Sequence, residues 1–328
     1  MNDNYRWYQK ILHELMLSQK FFRVQAFLAE HFFYNCKDQK TDQHVFICGL
    51  PRAGSSILLN TLYEKRVFAS ITFRDVPFIL APNLWGNFVD LFKKPRIKNV
   101  PRAHDDGLMI SEFSPEAFEE VFWDTFDQRE NDIIEKFKLF INSVQIRYNK
   151  DRYISKNNQN VRRIELLARE FTNSQVIILF RSPVEQCGSL LQQHKSFLEI
   201  DNFSPFVNRY MKLIGHKEFG VDYDPYIRES LQYPNYLDIN HWIEQWIFMY
   251  QELNQSVARF RNIYLVCYDD LVESVEVWVN ICNLLEIDPE IRPGTFKKTD
   301  KRYDNLGCNS KLLTLANELY CSMRKDSL

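Results

Sequence analysis

VFICGLPRAGSSILLN, residues 45–60, decides the fold. Val45 to Cys48 is a short apolar run that reads as a buried strand. The chain then passes through Gly49, Pro51, Arg52 and Gly54 and becomes apolar again from Ile57 to Leu62, with the length of a helix. A strand, a glycine turn and a helix start form an anion cradle, because the first amides of a helix have no intrahelical acceptor. Gly49 and Gly54 keep the spacing of G-x-x-x-x-G-K-[ST], but Ser55 stands where that loop has its lysine, and Ser56 follows. A triphosphate loop needs the lysine for its β- and γ-phosphates. The cation here is Arg52, within the loop. Pro51, Arg52, Ala53, Gly54, Ser55 and Ser56 are therefore candidates for holding an anion that is not an ordinary triphosphate.

Outward from this loop, strands and helices alternate. Val67–Phe73, Arg152–Lys156, Val176–Phe180 (VIILF) and Ile263–Tyr268 read as strands. Helices are expected over 3–34, from Ile57 to about Lys65, from Ser114-Pro115 onward, and over 131–148, 161–171, 240–260 and 272–285. Residues 78–110 read as loops with short helices, and 200–237 as irregular. The alternation predicts an α/β protein with a P-loop-type three-layer fold, a central mostly parallel sheet flanked by helices. Residues 1–43 are expected to form an amphipathic helix packed on the core, 44–290 the main domain, and 291–328 a basic loop and helix of the same domain.

Composition bounds the function. The 328 residues are 45% hydrophobic and 26% charged, and the net charge is −2. Nothing global draws the chain to nucleic acid or anionic membrane, so any anion site is local. No apolar run reaches the ~18–20 residues of a transmembrane segment. Seven scattered cysteines without C-x-x-C pairs fit reduced thiols and a cytoplasmic setting. No His/Cys cluster has zinc spacing, so no metal is expected.

A second anion site follows the VIILF strand. Arg181 stands at its carboxyl end, where open α/β sheets place ligands. Ser182, Pro183 and Glu185 have the pattern of a capping box with proline at the first helical position. Ser189, eight residues after Arg181, falls about two helical turns on, so both can reach one phosphate. The plainer reading is a capped helix whose arginine pairs with a carboxylate.

Together these features resemble the sulfotransferases. GLPRAGSS resembles their 5′-phosphosulfate loop, and Arg181 with Ser189 their 3′-phosphate site. YISKNN, residues 153–158, is similar to the strand that supplies a catalytic lysine in glycan-type and protein-tyrosine-type members, here Lys156. RAHDDG and SPEAFEEVFW resemble a bacterial branch. The resemblance spans about residues 44–290. It departs from the cytosolic members at Arg52, where they have lysine, and from the usual threonine at Ser56.

The resemblance implies a donor, 3′-phosphoadenosine 5′-phosphosulfate (PAPS), yielding adenosine 3′,5′-bisphosphate. It implies in-line transfer, without a metal, to a hydroxyl on a saccharide, lipid or small molecule. Arg52 and the loop amides would hold the phosphosulfate and Lys156 would neutralise developing charge. The base would be Asp75, at the expected end of the second strand, or His104 in RAHDDG. Lys298 and Lys301, in FKKTDKR, would approach the 3′-phosphate, though such a run also suits a solvated loop. Asp269-Asp270 reads as caps rather than a metal pair. Trp85, Phe88, Trp123 and Trp246 suit core packing before an acceptor wall. A nucleotide kinase and a non-catalytic binding module on the same fold are the alternatives.

Overall fold

A computed structural model describes residues 7–34, 41–92, 100–101, 109–203, 205–228, 231–291, 294–298, 303 and 307–328. The central sheet contains β1 (Val45–Cys48), β2 (Phe68–Ala69), β5 (Arg152–Lys156), β6 (Gln175–Phe180) and β7 (Ile263–Cys267). They run in the order β2-β5-β1-β6-β7, and every pair is parallel. The expected α/β fold with a parallel sheet is therefore what forms. A small antiparallel pair, β3 (Val100–Pro101) and β4 (Met109–Ile110), stands apart.

The strands are apolar at nearly every position because helices cover both faces. Phe46, Cys48, Val176, Ile178 and Phe180 point into one core. It is closed by α6 (Ile133–Tyr148), α7 (Ile164–Glu170), α8 (Pro183–Phe203), α10 (Ile239–Arg259) and α13 (Ser310–Lys325). Val45, Ile47, Ile177, Leu179 and Val266 point into the other, under α3 (Ser55–Glu64) and α12 (Val275–Leu284).

Several expected elements form differently. The N-terminal helix is two, α1 (Trp7–Ser18) and α2 (Lys20–Tyr34). Leu17 and Phe27 are buried in the core, whereas Ile11, Leu15, Phe22 and Leu28 are exposed. Polar anchors also hold the inward face. Arg23 pairs with Asp124 at 3.1 Å, and Glu30 accepts from the Asn83 and Leu84 amides at 3.0 Å each.

The strand expected to Phe73 ends at Ala69, and Phe73–Asp75 is a 3₁₀ turn. Thr72 caps it through the Arg74 amide while Asp75 takes the Thr72 amide, and that reciprocal pair bends the chain. Ser114-Pro115 starts no helix. Pro115 bridges to Thr72 and the Glu116 amide donates to the Ile71 carbonyl, so the segment lines the sheet edge. The helix begins later, as α5 (Glu120–Thr125). Within 78–110 lies an eleven-residue helix, α4 (Pro82–Phe92), opened by proline at its first position. The irregular reading of 200–237 missed the end of α8 and all of α9 (Pro205–Leu213). The 161–171 helix is a 3₁₀ turn, Asn158–Arg162, followed by α7. The 272–285 helix is α11 (Tyr268–Glu273) and α12, parted by Ser274, which caps the second.

Candidate functional site

The loop after β1 has the backbone its glycines imply. Gly49 and Gly54 have φ of 132° and 92°, in the left-handed region. A Cβ at Gly49 would sit 2.3 Å from the Leu179 carbonyl oxygen, and one at Gly54 would sit 2.2 Å from the Tyr268 ring. The Ile57 and Leu58 amides return to the Gly54 carbonyl at 3.0 and 3.1 Å. The amides just before them lie ahead of the first intrahelical bond and face the open end of α3. Arg52 also has a positive φ, 69°. Its Nε donates to Ser189 Oγ at 2.9 Å, so the loop cation and the α8 hydroxyl meet directly.

A buried brace, missed in the sequence, supports this loop from below. Gln186 Nε2 donates to the Leu50 and Pro51 carbonyls at 3.1 and 3.0 Å. Trp246 Nε1 donates to Gln186 Oε1, and the Tyr250 hydroxyl donates to the Leu179 carbonyl. Only the fold brings α10 under the loop, so no local pattern announced these three residues. Trp246 and Trp123 are core residues rather than a pocket wall. Trp85 stacks between Phe78 and Phe88, at 4.7 and 5.6 Å.

Arg181 extends from the end of β6. Its Nη2 donates to Glu185 Oε2 at 2.7 Å, while its Nε is buried with no hydrogen-bond partner among the described residues. The capping box expected at Ser182 does not close through Glu185. The Ser182 amide donates to Asp269 Oδ2 at 2.8 Å instead, because Glu185 is engaged by Arg181. Asp269 is thus a long-range cap for α8, and it also accepts from the Tyr320 hydroxyl at 3.0 Å. Tyr268, over Gly54, donates its hydroxyl to the Lys297 carbonyl at 3.2 Å and so ties the late basic segment to the loop. Lys298 itself points outward: its side chain is 72% exposed and lies 3.6 Å from Glu273. Lys301 and His104 lie outside the described residues.

Lys156 ends β5, beside Ile47 of β1, and is only 5% exposed. Its neighbours are anchored by carboxylates. The Asn157 amide donates to the Ile47 carbonyl and its side chain to Glu120, which also pairs with Arg163. Asn158 Nδ2 donates to Glu218 Oε1 at 3.3 Å, and His216 Nδ1 lies 3.4 Å from Glu218 Oε2. Glu218 is 5% exposed. Burial works to raise its carboxyl, but the hydrogen bond and charge of His216 and the charge of Lys156 outweigh that and hold it below the ordinary value. This pair fell in the segment that showed no pattern in the sequence.

Asp75 is not at a strand end but inside the 3₁₀ turn, 0% exposed. One oxygen accepts from the Thr72 amide and hydroxyl and from the Tyr148 hydroxyl, at 2.8, 3.1 and 2.5 Å. The other has no hydrogen-bond partner among the described residues, with Arg147 Nε 3.9 Å away. Burial raises this carboxyl, against the hydrogen bonds of Tyr148 and Thr72 and the charge of Arg147. Arg74 pairs with Asp90 and Glu112 rather than with Asp75.

Three adjacent strands, β5, β1 and β6, thus deliver Lys156, the glycine loop and Arg181 to one edge of the sheet. Strand ends of a parallel sheet, beside a helix start, are where open α/β folds place ligands. Residues 44–290 match the family described as "Sulfotransferase family", and the chain belongs to that family. It is a sulfotransferase, an enzyme of sulfuryl transfer. Sulfotransferase STF9 from Mycobacterium avium shares the fold at 13% identity, covering 98% of this chain and 87% of that one, with a TM-score of 0.53. Sulfotransferase STF1 from Mycobacterium tuberculosis does so at 10% identity, covering 95% and 85%, with a TM-score of 0.52. No curated protein matches the sequence. No helix among the described residues is long and apolar enough to cross a membrane.

Proposed function

We propose that the chain transfers a sulfuryl group from PAPS to a hydroxyl acceptor, with Arg52, Lys156, Arg181 and Ser189 as its working residues. The observation that carries this reading is the buried Arg181 Nε, a donor without a partner, on the same edge as the glycine loop. Such a donor costs about 1–3 kcal/mol, which a bound phosphate would recover. PAPS supplies a sulfuryl group on its 5′-phosphate together with a separate 3′-phosphate, and two separate cradles suit two separate anions.

The loop amides from Ala53 to Ser56, Ser56 Oγ, Pro51 and Arg52 would hold the 5′ end. Arg181 and Ser189 would hold the 3′-phosphate, with Lys298 or Lys301 closing over it. Arg52 donates to Ser189, so the two cradles adjoin. Lys156, short of water beside Ile47, would neutralise charge as it develops, and a cation in a dry site acts with most force. Asp75 and His104 are the sequence's proton acceptors. Burial raises the Asp75 carboxyl, the direction a base needs, but also shuts it off from solvent. Described cysteines are free thiols, which supports a cytoplasmic setting. No metal ligand is assigned.

The test is calorimetric and kinetic. Adenosine 3′,5′-bisphosphate should bind and raise the melting temperature, whereas ATP with Mg²⁺ should not. Arg52→Ala and Lys156→Ala should each lower sulfuryl transfer by about 10² or more, and Lys156→Ala should still bind the bisphosphate. Preference for ATP would replace this reading with a kinase. Activity–pH profiles of Asp75→Asn and His104→Gln show which, if either, carries the acidic limb.

A further inference from the structure

Helix α2 turns polar side chains inward and phenylalanines outward. Arg23 pairs with Asp124, and Glu30 takes the Asn83 and Leu84 amides of α4. Arg23, Phe27 and Glu30 are the buried residues of the helix, and their steps of four and three define one inward face. The opposite face carries Phe21, Gln25, Leu28 and Phe32, all exposed, Phe21 at 66% and Phe32 at 81%. Their steps are four, three and four, the spacing at which one helix packs along another. Because Arg23 and Glu30 fix the rotation of α2, this seam is held outward rather than free to roll into the core.

The exposed surface continues beyond the seam. Phe22 and Phe33 flank it, and α4 runs beside α2, with Asn87 donating to the Tyr34 hydroxyl. On α4, Phe88 and Leu91 are exposed, Leu91 at 80%. At ~150–250 Å² for a whole aromatic side chain, these exposed phenylalanines and leucines offer about 800 Å². The largest apolar patch of an ordinary monomer covers about 300–600 Å², whereas each partner of a standard interface buries about 800 Å².

Charge separates the two occupants that such a face suits. A helix lying on a bilayer carries Lys and Arg on its polar face. Here that face is spent inside the protein, and Lys20 is the only exposed charged side chain of α2. An uncharged seam with helical spacing fits a second helix of the same kind.

We propose that this face binds the same face of a second copy of the chain, α2 against α2, in a two-fold dimer. A two-fold axis presents one patch to itself, so a single apolar surface is self-complementary. Gln25, the polar residue in the seam, would set the register. None of these residues belongs to the donor site, so the assembly is testable apart from sulfuryl transfer.

Sedimentation equilibrium of the full chain at micromolar concentration should give the mass of two chains. F32E changes a side chain that already lies outside the core, so the folded circular dichroism spectrum should persist. The dimer dissociation constant should rise by about 100-fold or more, because both copies carry the charge. V275E makes the same kind of change on α12, where Val275 is 71% exposed, and should leave the dimer intact. A monomeric wild type would overturn the proposal, and its co-sedimentation with phosphatidylcholine–phosphatidylglycerol vesicles would assign the face to a bilayer instead. A dimer undisturbed by F32E, or broken equally by V275E, would overturn it too, since the copies would then be held by another surface.

Discussion

Arg52 shows how one residue changes meaning between sequence and structure. In the sequence it is a cation in a loop that lacks its lysine. In the structure it takes a left-handed backbone and binds Ser189, a residue 137 positions away. Asp75 changes in the other direction, from an apparent strand-end acid to a sealed carboxylate that holds a turn. His44 is a third case. It is fully buried, accepts the Tyr153 amide at 3.3 Å, and burial lowers its pKa to about 4. The unfolded value is about 6.5, so between these values the unfolded chain holds the extra proton. The stability that neutral His44 confers is therefore whole above pH 6.5 and is lost as the pH falls toward 4. Denaturant titrations should show the wild-type advantage over His44→Gln shrinking by roughly 2–3 kcal/mol between pH 7 and 4.5. A gap that stays constant with pH would show that His44 does not titrate this way.

At the scale of the element, the strand–loop–helix unit was legible because its signals are local. An apolar run, two glycines and a helix start lie within sixteen residues, and the backbone obeys them. Gly54→Ala tests how strictly. The new methyl group would meet the Tyr268 ring and the left-handed φ would be strained. Bisphosphate affinity measured by calorimetry should fall at least tenfold, and trimming the ring with Tyr268→Ala in the same chain should restore part of it. No recovery would mean that the backbone conformation alone sets the loss. The α8 terminus was harder to read. Ser182, Pro183 and Glu185 match a local cap, yet Asp269, 87 residues away, takes the Ser182 amide. Sequence spacing shows which partners are near along the chain; it does not show which carboxylate arrives first in space.

For the whole molecule, the C-terminal helix α13 links the far end of the chain to the site. It packs on α8, α10 and β7, Tyr320 reaches Asp269 and Cys267, and Arg324 pairs with Asp270. Ending the chain at residue 308 should uncover Phe180 and β7 and lower the melting temperature by more than about 10 °C. Tyr320→Phe, which removes the hydroxyl's contacts with Asp269 and Cys267, each worth about 1 kcal/mol, should leave the fold intact and weaken bisphosphate binding a few-fold. Unchanged melting on truncation would make α13 an appendage. The sequence by itself determined the parallel α/β class, the strand–glycine loop–helix unit and the strand-end positions of Lys156 and Arg181, because periodicity and glycine spacing act over a few residues. Tertiary structure alone decided that Gln186, Trp246 and Tyr250 brace the loop, that Asp75 is sealed, and that Glu218 meets Asn158, two residues beyond Lys156. Those contacts join segments 60 or more residues apart, and only burial against the same sheet brings them together.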